Sequence, residues 1–330
     1  MIVLAVETSC DETSVSLTKN GDTILSNKVL SQIDTHQAFG GVVPEIASRE
    51  HVKGITLVFK EALETAGVAP QEVDLVAVTQ GPGLIGSLLI GINAAKAFAF
   101  AHQKPLIGVH HIAGHIYANR LKGPFVFPLV CLVVSGGHTE LILMRDHYQF
   151  EKLGETQDDA IGEAYDKVAR VLGLEYPGGP QIDALAKTAS PDMPMPISDI
   201  EGYHFSYSGL KSHVINVLNQ KRMKQEPIDI PVLAASFQVA AIEQLMRKSR
   251  AAVEAYEAKM FMVAGGVAAN HHLRERVETL FSDVLVRMPP LAYCTDNAAM
   301  IGLAAYYQYL ANPQADSYDL KGHARLKLTP

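Results

Sequence analysis

Two histidines four residues apart, His111 and His115 in His110-His111-Ile112-Ala113-Gly114-His115, are the residues of this chain best suited to hold a cation. They follow a short apolar stretch, residues 105–109, that reads as a strand, and they open what reads as a helix. Positions i and i+4 share a helix face, so two imidazoles at this spacing can take one metal between them. The same spacing also serves a plain surface or interface pair, and a third ligand is what separates the two readings. Asp296, in Tyr293-Cys294-Thr295-Asp296-Asn297, is the best distant candidate, because it follows a strand and the stiff pair Pro289-Pro290 and precedes another helix. Two imidazoles and one carboxylate suit zinc or ferrous iron and leave coordination positions for a substrate. A metalloprotease needs a glutamate straight after its first histidine as general base, and here that position is Ile112. A cation at this site is expected to grip and polarise a bound group, not to activate water for peptide cleavage.

The rest of the chain bounds what such a site can serve. At 330 residues, 48% hydrophobic and 19% charged, it reads as an ordinary globular protein of about two domains. The 35 acidic residues outnumber the 28 basic ones, which argues against a chain that coats nucleic acid unaided. Two short basic runs, Lys221-Arg222-Met223-Lys224 and Arg247-Lys248-Ser249-Arg250, are the local exceptions. Three scattered cysteines, Cys10, Cys131 and Cys294, form neither a disulfide framework nor a four-thiolate site and read as small apolar fillers in a reducing compartment. The apolar start, residues 1–6, runs straight into Glu7 and reads as a strand instead of a secretion signal. The longest apolar run, residues 84–101, is interrupted by Asn93 and Lys96, so no membrane association is expected and the cytoplasm is the expected compartment.

The elements that must carry these residues repeat. Strands are expected over residues 1–6, 14–17 and 24–30, with a polar turn at 7–12 and a second at Asn20-Gly21-Asp22. A helix over 44–66 stopping at Gly67, a strand over 74–79, a helix over 87–101, the strand 105–109 and the histidine helix complete a first α/β domain, residues 1–126. The loop Gly81-Pro82-Gly83-Leu84-Ile85-Gly86 gathers backbone amides at a helix start where an anion could bind; tight packing of helix on strand explains its glycines equally well. The pattern then begins again in a second domain, residues 127–330, with strands at 127–134, 139–144 and 148–153. Its turn Ser135-Gly136-Gly137-His138 occupies the place of Ser9-Cys10-Asp11-Glu12. A helix over 158–172 sets Asp159, Glu163 and Asp166 on one face, and Pro177-Gly178-Gly179-Pro180 makes a rigid loop before a short helix containing Asp183. An insert around 190–230 follows, then helices at 209–221 and 231–257, and a strand at 259–264 meeting Gly265-Gly266-Val267-Ala268-Ala269-Asn270. A strand at 283–287 and a helix at 296–310, the latter expected to pack back on the first domain, close the chain.

A strand hairpin repeated in each half with glycine-rich turns resembles the duplicated actin/Hsp70/sugar-kinase (RNase H-like) α/β fold, whose two domains hold a nucleotide in the cleft between them. The likeness narrows further. Glu7-Thr8-Ser9-Cys10-Asp11-Glu12-Thr13, the segment from His111 to His115, Val134-Ser135-Gly136-Gly137-His138-Thr139, Tyr176-Pro177-Gly178-Gly179-Pro180, Phe205-Ser206-Tyr207-Ser208-Gly209-Leu210-Lys211, Gly265-Gly266-Val267-Ala268-Ala269-Asn270 and Cys294-Thr295-Asp296-Asn297 occur in order. Each alone is weak, but together they resemble the bacterial tRNA threonylcarbamoyladenosine transferase family from end to end. The resemblance implies transfer of a threonylcarbamoyl group from its adenylate to the exocyclic amine of the adenosine beside the anticodon, in tRNAs reading codons that begin with A. It makes His111, His115 and Asp296 the ligands of one divalent cation, Fe2+ or Zn2+. It puts the adenylate against Val134, Ser135, Gly136, Gly137, His138, Asp166, Gly179, Asp183 and Asn270, with Asp11 near the reacting end. Asp11 and His138 are the candidate proton acceptors by chemistry, and hydrogen-bonded structural roles suit either equally. The partners it implies are tRNA, threonylcarbamoyl-adenylate, an inactive paralogue that forms a heterodimer, and a small P-loop ATPase. Two rival readings are a metalloprotease, opposed by Ile112, and a nucleotide-dependent binding module without transfer chemistry, which rests on fold analogy alone.

Overall fold

The computed structural model describes residues 1–329, which fold into two compact units. One comprises Met1–Phe125, Asp146–Phe150 and the chain from Pro289 onward; the other comprises Val126–Arg145 and Glu151–Met288. A single break after residue 126 therefore describes only the first crossing, since two later segments return to the first unit.

The first unit opens with β1 (Ile2–Glu7), β2 (Glu12–Lys19) and β3 (Thr23–Ser31), joined as antiparallel neighbours. Asn20 and Gly21 both take positive φ in the β2–β3 turn, as a tight hairpin requires. A short α1 (Ile33–Gln37) and the long α2 (Pro44–Ala66) follow, α2 stopping at Gly67 in the left-handed conformation. Next come β4 (Leu75–Gly81), α3 (Ile85–His102), β5 (Leu106–His110) and α4 (His111–Tyr117). The strand order is β3-β2-β1-β4-β5, with β1, β4 and β5 parallel. Because β1 is paired on both sides and covered on both faces, its last five residues are all buried and its sequence shows no polar alternation. One face of α2 and α3 joins the core around Leu4, Val6, Val15, Leu17, Val76 and Val78. Burying each such side chain contributes about 1.5–3 kcal/mol before the entropy of ordering it. By length and composition α3 is apolar enough to cross a membrane, but Leu88, Ile92, Ala95 and Ala99 on it are buried in this core.

The second unit repeats the plan. β6 (Leu129–Val134), β7 (Thr139–Met144) and β8 (Phe150–Glu155) are followed by α5 (Ile161–Leu172), α6 (Gly178–Ala186), α7 (Ser208–Met223), α8 (Ile230–Ala255), β9 (Met260–Ala264), α9 (His271–Leu280) and β10 (Leu285–Arg287). Its order, β10-β9-β6-β7-β8, is the first sheet's order, with the chain's hairpin on one side and two parallel strands on the other. The last helix, α10 (Ala298–Ala311), belongs to the first unit, where it lies on α4, β1 and β2.

Several local expectations change. Asp159 lies ahead of α5, where it pairs with Lys167 and Lys211. Gly178 and Gly179 are the first turn of α6 and not a separate loop, with Pro180 in a position that needs no backbone donor. Asp296 lies two residues before α10, whose N-cap is Asn297. The glycine loop at 81–86 is a packing device: a Cβ at Gly83 would sit 2.6 Å from the Ser9 carbonyl, and Gly83 N and Leu84 N already donate to the carbonyls of Ala324 and Ser9. Those two amides are spent within the chain, so neither is open to an anion.

Candidate metal centre

His111 and His115 occupy the first and fifth positions of α4, one turn apart on one face. His110, the third histidine of the motif, caps the helix: its Nδ1 accepts from Ile112 N at 3.1 Å, and its Nε2 lies 3.1 Å from the Leu326 carbonyl. Asp296 arrives from the turn before α10. Asn297 holds that turn from both sides, accepting from Met300 N at 3.1 Å and donating to the Thr295 carbonyl at 2.8 Å, a cap contributing about 1 kcal/mol. Ala298 N donates to Ser14 Oγ at 2.8 Å, which fixes the start of α10 to β2. Gly114, between the two histidines, lets α4 approach α10.

These elements bring the three ligand atoms within 4.8 Å of one another. His115 Nε2 lies 3.1 Å and His111 Nε2 3.5 Å from Asp296 Oδ1. The 3.1 Å approach is close enough for a hydrogen bond, yet both ring nitrogens of His115 are buried without one. Two ring nitrogens that converge on one carboxylate oxygen without hydrogen-bonding it are arranged as ligands around a common point, and a buried imidazole with no hydrogen bond fits a cation. The surrounding charge fits too. Glu7, Asp11 and Glu12 lie around the site with Asp296, so carboxylates outnumber imidazoles.

Each group answers to that surplus. Burial works against charge on His111, but the Asp296 and Glu7 carboxylates outweigh it and push the imidazole up to about 9. Burial raises Glu7, and the charge and hydrogen bond of His111 overrule it, leaving its carboxyl below the ordinary range. Glu12 is pushed well above that range by burial, then by Asp296 and Asp11. Cys10 is likewise pushed well up, by burial first and then by Asp11 and Asp296, so it stays a thiol. Glu7, Ser9 and Glu12 were missed by sequence reasoning as site residues. Glu7 ends an apolar run where a strand needs no carboxylate, and that incongruity was the available signal.

The residues expected to meet the donor lie in the second unit. Ser135 N has no hydrogen free for a ligand, since it donates to the His138 carbonyl at 2.8 Å, and His138 N donates to Ser135 Oγ at 3.1 Å. These bonds close a tight turn whose Gly136 and Gly137 are exposed with open space at each Cβ position. Val134 is buried, with its carbonyl 2.3 Å from where a Gly265 Cβ would stand. Asp166 accepts from Gly178 N at 2.8 Å; burial holds its carboxyl above the ordinary range. Asp183 accepts from His271 Nδ1 at 2.8 Å, while its other oxygen is buried without a partner. Gly179 has open space around it. Asn270 is committed at both ends of its amide, to Leu273 N at 2.9 Å as the cap of α9 and to Gln238 Oε1 at 2.8 Å. Its place here is at least as much architectural as ligand-facing.

One hub of this unit was not visible in the sequence. Asp158 accepts from Ser206 Oγ at 2.5 Å, Tyr207 N at 2.7 Å and Ser208 Oγ at 2.6 Å. One carboxylate thus ties the 205–208 segment to the start of α5.

Comparison with known proteins agrees with this architecture. The fold is shared, at low identity, with full-length HypF (TM-score 0.62, 14% identical, 96% of this chain and 47% of that one). It is shared also with the (R)-2-hydroxyglutaryl-CoA dehydratase component A of Acidaminococcus fermentans (TM-score 0.57, 14% identical, 94% of this chain and 99% of that one). Both place it in the actin/Hsp70/sugar-kinase fold. The sequence goes further. The chain is 55% identical over 331 residues to the tRNA N6-adenosine threonylcarbamoyltransferase of Staphylococcus carnosus (strain TM300), covering 99% of this chain and 96% of that protein. It is 56% identical, with the same coverage, to its namesake in Staphylococcus haemolyticus (strain JCSC1435). The family model described as TsaD, tRNA N6-adenosine threonylcarbamoyltransferase, matches residues 23–303, and this chain therefore belongs to that family.

Proposed function

We propose that this chain transfers a threonylcarbamoyl group from threonylcarbamoyl-adenylate to N6 of the adenosine beside the anticodon in tRNAs reading codons that start with A. The observation that carries the reading is the match at 55–56% identity across 99% of the chain. In the reaction the N6 amine forms a bond to the carbamoyl carbon, the bond from that carbon to the phosphate oxygen breaks, AMP leaves, and the amine loses one proton. An acyl adenylate is already activated, so the protein's work is positioning and charge stabilisation. The turn from Val134 to His138, with Asp166, Gly179, Asp183 and Asn270, is assigned to the adenylate. Asp11 and His138 are the two candidates to take the proton.

His111, His115 and Asp296 would hold one divalent cation, Fe2+ or Zn2+, a donor set that both accept. When bound, such a cation supplies a Lewis acid for an acyl or phosphoryl oxygen. Buried Ile112 occupies the position where a metalloprotease would carry its base.

The acidic chain is assigned partners that complete its tRNA surface: an inactive paralogue, bound as a heterodimer, and a small P-loop ATPase. The basic run at 247–250 supports this need, since its charges are engaged within the chain. Arg250 is engaged by Asp283 and Glu254, Arg247 by Glu243, and Lys248 by the carbonyls of Ile200 and Gly202. The exposed Val52 and Leu57 on α2, and Ile85, Leu89 and Phe100 on α3, offer the paralogue an apolar face. The assigned compartment is the cytoplasm, consistent with three free cysteines. The test is mass spectrometry of tRNA nucleosides after incubation with threonine, bicarbonate, ATP, the donor-making synthase and the partners. Absence of the modified adenosine, with donor demonstrably present, refutes the assignment.

A further inference from the structure

Glu7 has no solvent exposure, and three groups of the first unit contact its side-chain oxygens. Its Oε1 accepts from Ser9 N at 2.5 Å. Its Oε2 accepts from Thr79 Oγ1 and lies 3.3 Å from His111 Nδ1. Ser9 Oγ lies 3.2 Å from the same ring nitrogen. The other nitrogen of His111, Nε2, faces Asp296 Oδ1 at 3.5 Å. His115 has no counterpart: its Nδ1 is buried with no partner. The two histidines of the motif are thus held differently, and only one has its ring orientation and tautomer set from behind.

We propose that Glu7 is the positioning residue of the cation site: its carboxylate takes the Nδ1–H of His111 and so presents the bare Nε2 to the cation. A buried carboxylate behind a ligating imidazole fixes the ring and makes the ligand nitrogen more basic. The location of Glu7 at the end of β1, the strand paired on both sides, makes this support rigid. The inference rests on the reading of His111, His115 and Asp296 as ligands.

Glu7→Gln tests it. In that variant the amide orientation is dictated by Ser9 N, a donor that cannot be reversed, so the side-chain oxygen must stay at the Oε1 position. The NH2 then faces His111 Nδ1 and favours the tautomer with a proton on Nε2, where the cation must bind. Zinc(II) affinity is measured by competition with a chromophoric chelator, and the visible spectrum of the cobalt(II) form is recorded beside it. Glu7→Gln is expected to weaken zinc by about 10–100-fold and to alter the cobalt spectrum. Thr79→Val, which removes one hydroxyl holding Oε2, is expected to weaken it in the same direction by less. Far-ultraviolet circular dichroism of the apo-proteins checks folding, and Thr79→Val carries the test if Glu7→Gln does not fold. Zinc affinity and cobalt spectrum unchanged in the folded variants would overturn the role of Glu7. Failure of the unaltered chain to bind zinc or cobalt would instead overturn the ligand reading itself.

Discussion

A Cβ built on Gly114 would stand 2.7 Å from Cδ1 of Ile301, so the helix carrying both histidines touches α10 with no room for a methyl group. Met300 Cγ lies 3.1 Å from the same point, closing the second direction of escape. Since α10 begins two residues after Asp296, this contact sets how far the third ligand stands from the first two. We expect Gly114→Ala to cost about 1–3 kcal/mol, the usual range for overpacking a core, and to lower cation affinity with it. Adding Ile301→Val, which removes the obstructing carbon, should recover most of both losses. Denaturant midpoints and cation content of the single and double variants check this; no recovery in the double variant would sever the link between helix spacing and the site.

Removing a ligand should act on the cation and not on the fold. His115→Ala and Asp296→Ala are each expected to lose more cation affinity than the roughly 100-fold at the top of the range for supporting residues, and to abolish transfer. Thermal unfolding of the apo-proteins should stay close to that of the parent. Full cation content with normal nucleoside modification in either variant would remove the assignment.

Asp158 gives the second unit an acid-sensitive fastening. Burial works upward on this carboxyl, but the Ser206 and Ser208 hydroxyls and the Tyr207 and Ser208 amides outweigh it and hold it below the ordinary range. A group depressed in the folded state stabilises above its unfolded value of about 3.9 and loses that contribution as pH falls through the folded value. Unfolding free energy should therefore decline on acidification below about pH 4, more steeply in the parent than in Asp158→Asn. Asp158→Asn should also be less stable at neutral pH, because an amide cannot accept from all four donors. Equal acid slopes in the two proteins would count against the fastening.

The surface proposed for the paralogue can be tested at the residues that the fold leaves outward. Gly91 packs on Thr8 and Ala95 is fully buried, so the small residues of α3 serve its contact with the sheet, while Leu89 and Phe100 face away from the core. Leu89→Arg is the probe of choice on α3, because Ala94 on the same helix is partly packed against the core. If Leu89 anchors the heterodimer, its loss should cost about 2 kcal/mol, roughly 30-fold in affinity. Size-exclusion chromatography with the paralogue reads the loss, and cation content should be unchanged.

The thiols are expected to be dispensable. Cys131 is fully buried in β6 and burial pushes its thiol far up; Cys294 is buried beside the Pro289 and Pro290 carbonyls. Joint replacement of Cys10, Cys131 and Cys294 by Ala should leave transfer within a few-fold of the parent, a margin typical of volume loss without chemistry. Loss of transfer in the folded triple variant would mean a thiol takes part.

How much of this was legible beforehand depends on distance along the chain. The pair His111 and His115 follows from helical spacing, and the hairpins follow from alternation and turn residues, because both are local. Asp296 was reachable because an acidic residue flanked by a proline pair and a helix start is locally odd. For Glu7 the carboxylate ending an apolar strand is locally odd, but its partner His111 lies 104 positions away and nothing local shows the pairing. Asp158 was hidden likewise, its hydroxyl partners lying 48 and 50 positions on. The loop at Gly81 was ambiguous because glycine at a helix start means either an open amide or a close approach, and only the carbonyls of Ser9 and Ala324 decide between them.

The first unit is assembled from both ends of the chain, and this orders events on the ribosome. Strands β1 and β2 leave the exit tunnel with the surface that α10 will cover still bare, and Asp296 and α10 follow only after the second unit has been made. A nascent chain therefore holds two histidines without their carboxylate for as long as the second unit is being made. The three candidate ligands can meet only once the second unit has been made, and a fragment that stops before residue 296 carries just two of them.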